Sequence, residues 1–355
     1  MSLLRRCGTL LDEAAAQLFP GYFAVTMATG ATSIASQLLG FALLAQLLLL
    51  ANLLAYALLW CLTLTRLLRY PERLVMDMVD HARGPGFFTI VAGTGILGSQ
   101  FVVVLGWDAV ASGLWFLATG LWCVIMYAFF IAVTVRQEKP ALASGINGAW
   151  LLAAVSTQSV AILTALLPGY GTEDLQLFFA LTMYLIGCML YMAIITLIFY
   201  RLTFLRVTAD MLTPPYWINM GAVAITTLAG STLILRAPGT LLQDFLPFLR
   251  GFTLFFWATA TWWVPFLIGL MLWRHVLRRH ALHYEPQLWS MVFPLAMYTT
   301  GTWRLADALQ LEFLHWIPRV SFWLALCAWA LTSLAMGLHF ARIVRKMLWR
   351  AEGRG

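Results

Sequence analysis

Charge is scarce in this chain. Asp, Glu, Lys and Arg make up 10% of 355 residues, while 62% are hydrophobic and the mean hydropathy is +0.84. Soluble domains carry about 25% charged residues, so a water-soluble globule is excluded. Cysteine pairing is absent as well. Cys7, Cys61, Cys123, Cys188 and Cys327 stand singly, with no C-x-x-C, which removes a zinc ribbon and a disulfide framework. The sequence lacks the period-2 alternation that a membrane β-barrel requires, leaving helices as the spanning element. There is no Asn-x-Ser/Thr. His275, His280, His283, His315 and His339 fall at the ends of apolar runs, not in facing intramembrane pairs, which argues against a multi-haem redox protein. No metal site and no cofactor are expected, and no catalytic group is assigned.

What the chain does contain is a repeat. Gly21-Tyr22-Phe23-Ala24-Val25-Thr26-Met27-Ala28-Thr29-Gly30 aligns without a gap on Gly86-Phe87-Phe88-Thr89-Ile90-Val91-Ala92-Gly93-Thr94-Gly95. Each copy opens an apolar segment that is followed by a second, greasier one. A repeated helical hairpin is a transporter-like plan, with the path at the repeat interface.

Ten spans are predicted, since about 20 apolar residues match a roughly 30 Å hydrocarbon core. They cover Phe19–Leu39, Phe41–Thr65, Phe87–Leu105, Ala109–Val135, Ala149–Leu167, Leu175–Tyr200, Tyr216–Leu235, Gly251–Trp273, Leu288–Leu305 and Val320–Phe340. Odd spans are rich in Gly, Ser and Thr, and Pro20, Pro85, Pro214, Pro215 and Pro294 sit at or within them. Even spans are dominated by Leu, Ala, Ile, Phe and Trp. Small and hydroxyl side chains allow close packing or line a wet cavity, whereas helices apolar all round face lipid. The expected architecture is therefore an all-α polytopic membrane protein of five helical hairpins, odd helices lining a central pore and even helices outside. Residues 1–18 form a cytosolic or interfacial segment, 19–340 the membrane domain, and 341–355 a basic cytosolic tail.

Orientation follows from the cations. With the N-terminus inside, eighteen of the 22 Lys and Arg residues fall on the cytosolic side. Arg236, Arg250 and Arg319 fall on the other, and Arg304 at the end of a span. That split obeys the positive-inside rule with both termini cytosolic. It explains the basic balance without a nucleic-acid partner.

Several motifs resemble the tellurite-resistance/C4-dicarboxylate transporter family, which includes fungal malate permeases and sulfite exporters, bacterial tellurite-resistance proteins and plant slow anion channels. Gly21-Tyr22-Phe23 through Thr26-Met27-Ala28-Thr29-Gly30 looks like the family's first span. His81-Ala82-Arg83 followed by Phe87-Phe88 looks like the approach to its third, with Ala82 where the family usually has proline. Trp289-Ser290-Met291-Val292-Phe293-Pro294 looks like its ninth, where the family places a pore-blocking phenylalanine before a proline. The resemblance implies a bacterial inner-membrane homotrimer with a pore in each subunit, conducting a small anion: malate, sulfite, chloride or nitrate. It assigns Phe293 and Pro294 as the gate.

The remaining candidates come from the odd spans. Thr29, Thr94, Ser156, Thr157, Thr226, Thr227, Thr299 and Thr300 offer hydrogen-bond donors to a partly dehydrated anion, the alternative being bonds to their own i−4 carbonyls. Phe23, Phe88, Gly30 and Gly95 complete the expected pore lining. Gly221, Gly230 and Gly301 serve close helix packing or backbone exposure. Arg304 and Asp307, three residues apart, are expected as a charge pair in the external vestibule, the alternative being a self-neutralising interfacial pair. A second function class remains: a membrane-embedded enzyme using the Asp77/Asp80/His81 loop, where D-x-x-D could hold Mg²⁺ against a phosphate substrate.

Overall fold

The computed structural model describes residues 11–168, 172–281 and 283–352. Arg5, Arg6 and Arg354, counted above with the cytosolic cations, lie outside the described residues. Among the described residues ten long helices form, α1 Ala24–Leu38, α2 Ala42–Arg69, α3 Phe88–Gln100, α4 Asp108–Val135, α5 Leu152–Leu166, α6 Glu173–Phe204, α7 Ile218–Arg236, α8 Leu246–Leu272, α9 Trp289–Leu309 and α10 Trp316–Glu352. Among the described residues there is no strand. The last helix continues past Phe340 through residues assigned above to a tail.

Among the described residues eight helical segments are long and apolar enough to cross a membrane by length and composition. That is fewer than the ten expected. Those containing α1 and α9 fall outside the eight because Thr, Ser and Gly, and in α9 also Arg304 and Asp307, dilute their apolar character.

Packing separates the helices into two layers. α1 contacts α3, α3 contacts α5, α5 contacts α7, α7 contacts α9, and α9 returns to α1. The five odd helices thus close a ring. Each also packs on the even helix that follows it. In the most apolar stretch of Pro214–Arg236, 94% of residues are buried, against 17% for Glu312–Ile343. The more polar helices are inside and the greasiest ones outside. Leu43, Leu47, Leu50, Leu54 and Leu58 present one exposed stripe on α2. Apolar surface on this scale is not sustained in water, and the molecule is an integral membrane protein.

Each odd helix begins in a 3-10 turn: Pro20–Phe23, Gly84–Phe87, Gly148–Leu151, Pro214–Trp217 and Pro286–Leu288. Proline suits a first turn, where its missing N–H has no helical acceptor to lose. The third turn has none, and the Asn147 side chain instead accepts from the Ala149 amide at 2.8 Å.

Even helices then tie down the linkers that lead into these turns. Arg136 donates to Val79 O at 2.8 Å, Arg201 to Ala143 O at 2.8 Å and Arg274 to Leu212 O at 2.5 Å. Arg66 donates likewise to Leu18 O. The chain before α1 is held by the same end of α2. Asp12 accepts from Arg69 and Tyr70 at 2.7 Å each, and the Tyr70 hydroxyl, then Arg69, hold its carboxyl below the usual carboxylate range.

Glycines set how close these turns come. A methyl on Gly148 would lie 2.1 Å from Pro215 O, whereas Gly120 on α4 has open space. Gly148→Ala should therefore cost about 1–3 kcal/mol through forced backbone movement, read as a lower thermal midpoint in detergent, with Gly120→Ala as the control. Equal midpoints for the two variants would show that this contact sets nothing.

Candidate permeation path

The five 3-10 turns converge on one cavity of about 320 Å³. Every odd helix contributes to it: Gly21 before α1, Gly86 and Thr89 at α3, Leu152 of α5, Pro215 before α7 and Ser290 of α9, with Arg83 beside them. Helix N-termini point unbonded N–H groups and about half a positive charge outward. This mouth of the ring consequently favours anions. The cations gather at the same end, because Arg66, Arg136, Arg201 and Arg274 all reach linkers that feed these turns.

One turn deeper than Ser290 lies Phe293, only 1% exposed. A methyl built on Gly221 of α7 would sit 3.4 Å from the Phe293 ring and 2.7 Å from Pro294 Cγ. The absent side chain at Gly221 is what lets the Phe293-Pro294 segment of α9 approach so closely. Spacings of seven and eleven residues keep Thr300 and Arg304 on the same face of α9 as Phe293.

Four of the eight hydroxyls expected on the axis bond side chains of even helices. Thr29 accepts from Trp329 of α10 at 3.0 Å, Thr94 bonds Tyr56 of α2 at 2.8 Å, and Thr157 accepts from Trp122 of α4 at 2.8 Å. Thr299 bonds Ser321 of α10 at 2.8 Å. Indole and phenol groups of the outer layer need a partner in a medium without water, and these hydroxyls supply it. Ser156, Thr226, Thr227 and Thr300 donate to carbonyls of their own helices.

Phe23 packs edge-on against Tyr56 and Trp60, each 5.9 Å away, and Phe88 lies 5.5 Å from Phe129. Gly30 faces Ile96 of α3 and Gly95 faces Ser159 of α5. Phe23, Thr29, Gly30, Phe88, Thr94, Gly95, Thr157 and Thr299 thus each make a contact at a helix–helix seam. On α1 the face opposite Thr29 and Gly30 carries Ala24, Ala28, Ala31 and Ala35, all buried. That stripe is apolar and small.

Arg304 and Asp307 stand near the C-terminal end of α9. Among the described residues the two make no ion pair within 4.0 Å, and Asp307 Oδ1 instead meets His315 Nε2 at 3.0 Å. His315 was missed because it follows α9 on a separate turn, Glu312–His315.

The D-x-x-D loop is already engaged. Asp77 takes Arg66 and Arg83 at 2.6 Å each, and Asp80 accepts from the Ala82 and Arg83 amides at 2.8 Å. Burial, then Arg136, pushes the His81 imidazole below its ordinary range. Among the described residues no three His, Cys, Asp or Glu side chains are grouped to hold a metal. The buried arginines were legible only as cations. The signal that could have found them is an arginine recurring near the end of successive even spans.

The fold is a closed ring of small-residue helices inside an apolar coat, with a cation-rich mouth. A profile of the voltage-dependent anion channel family, SLAC1, matches residues 17–336. The chain belongs to that family of membrane anion channels and transporters. An uncharacterized membrane protein of Mycobacterium tuberculosis is 39% identical over 155 residues, 44% of this chain and 79% of that protein. An uncharacterized transporter of Methanocaldococcus jannaschii is 21% identical over 319 residues, covering 88% and 91% of the two chains. A sulfite efflux pump of Arthroderma benhamiae is 24% identical over 344 residues, 88% of each.

Proposed function

We propose that α1–α10 cross the bilayer as five hairpins and that a small anion passes along the axis of the odd helices, with Phe293, positioned by Pro294, as the gate. The observation that carries this reading is the convergence of all five odd N-terminal turns on one cavity, with Phe293 one turn beyond it on α9. The cation-rich mouth faces the cytosol, both termini lie there, and the host is a plasma membrane, the bacterial inner membrane by resemblance. The assembly is a homotrimer on the same ground. Selection for anions comes from helix N-termini and Arg83 at the mouth more than from hydroxyls along the path. Thr300 is the lining hydroxyl that shares the Phe293 face, and Arg304 is the cation at the far mouth.

Sulfite is the first substrate to test, since one relative is named a sulfite efflux pump; malate, chloride and nitrate follow. Purified protein in liposomes, loaded with each anion in turn, should release at least one of them faster than protein-free liposomes. Cations should be retained. If no anion is released above the lipid background from vesicles containing correctly folded protein, the reading fails.

A further inference from the structure

The far mouth of the ring holds a group of side chains that the conduit reading leaves unused. His315 Nε2 lies 3.0 Å from Asp307 Oδ1, and its Nδ1 lies 3.3 Å from the Glu312 carbonyl oxygen. Both ring nitrogens therefore face acceptors. A neutral imidazole has one N–H and can satisfy only one of them. The imidazolium donates to both. The Trp303 indole packs against the His315 ring at 70°, with centroids 4.7 Å apart. His315 is partly shielded, with 15% of its side chain exposed against 36% for Asp307.

We propose that His315, held by Asp307, is a proton-binding site at this mouth, and that acid on that side raises anion access by adding a positive charge beside Arg304. The proposal rests on the conduit reading for its second half. The charged side chains at this end are Arg304 and Asp307 on α9 and Glu312 on the His315 turn, and of these Asp307 meets the ring. Arg319 stands one turn into α10. Two cations and two anions cancel while His315 is neutral. Protonation leaves one net positive charge at the opening, where a local potential concentrates counter-ions. Histidine is the side chain whose ordinary titration falls between about pH 5 and 8.

The experiment compares flux at pH 5.5 and pH 8 on the Arg304 side, in liposomes of fixed internal pH. The wild-type ratio should be about threefold or more and should shrink at high salt. In His315→Gln, which keeps an amide to donate to Asp307, it should fall to about one. Asp307→Asn, which removes the carboxylate that holds the ring, should weaken the acid response. Tryptophan fluorescence, taken as the difference from Trp303→Phe, reads protonation without transport. It should titrate in wild type and not in His315→Gln. An unchanged acid response in folded His315→Gln overturns the proposal, as does a fluorescence difference that His315→Gln leaves intact. If the fluorescence titrates but no anion moves in any variant, the proton site stands and the conduit reading is what has failed.

Discussion

Phe293→Ala should raise anion flux per folded molecule by roughly tenfold or more. A bare ring across a narrow path offers no hydrogen bonds to replace an ion's water, and a hydrophobic constriction closes a pore by dewetting. Every 1.4 kcal/mol or so removed from that barrier gives about tenfold. In a packed core the same truncation would cost about 3–5 kcal/mol and deplete folded protein. The alternatives predict opposite outcomes. Phe293 follows the cavity-lining Ser290 by one turn of α9, is 1% exposed and abuts Gly221 of α7, so the measurement decides between the two. Phe293→Leu should fall between wild type and Ala. The measurement is liposome efflux normalised to monodisperse protein from size-exclusion chromatography. Flux per molecule that stays level or drops in Phe293→Ala would move the constriction to another layer of the ring.

The largest loss of stability is expected at Asp77. Its carboxylate bridges Arg66 and Arg83 at 2.6 Å each, and Arg66 is only 4% exposed. Removing one member of a buried ion pair strands the other charge, typically at about 3–5 kcal/mol. Asp77→Ala should therefore lower the thermal midpoint and the yield sharply. Arg66→Met combined with Asp77→Ala should recover part of the loss, since no unpaired charge then stays buried, although the Arg66 bond to Leu18 is still missing. A metal-dependent enzyme using the same carboxylates would show a different pattern: loss of a reaction with little change in stability. If Asp77→Ala melts with wild type, the network contributes nothing to the fold.

Composition and repeat alone determined that the chain is a helical membrane protein, that it divides into two classes of helix, and that Phe293 precedes a proline in a hydroxyl-rich segment. These are one-dimensional properties. Apolar length fixes what can span lipid, and the Gly21 and Gly86 copies share a register that needs no coordinates. Helical period also fixes which residues share a face, so Phe293, Thr300 and Arg304 were already aligned. Which face meets which neighbour is another matter, and only the tertiary structure decided it. A buried threonine can bond its own i−4 carbonyl, a neighbour's indole or a permeant ion. Thr29, Thr94 and Thr157 went to the aromatics of α10, α2 and α4 because those donors had no water to satisfy them. A long or flexible charged side chain chooses its partner the same way. Asp307 found His315 on the following turn and Asp77 found Arg66 across the α2 end, pairings that spacing along the chain does not encode.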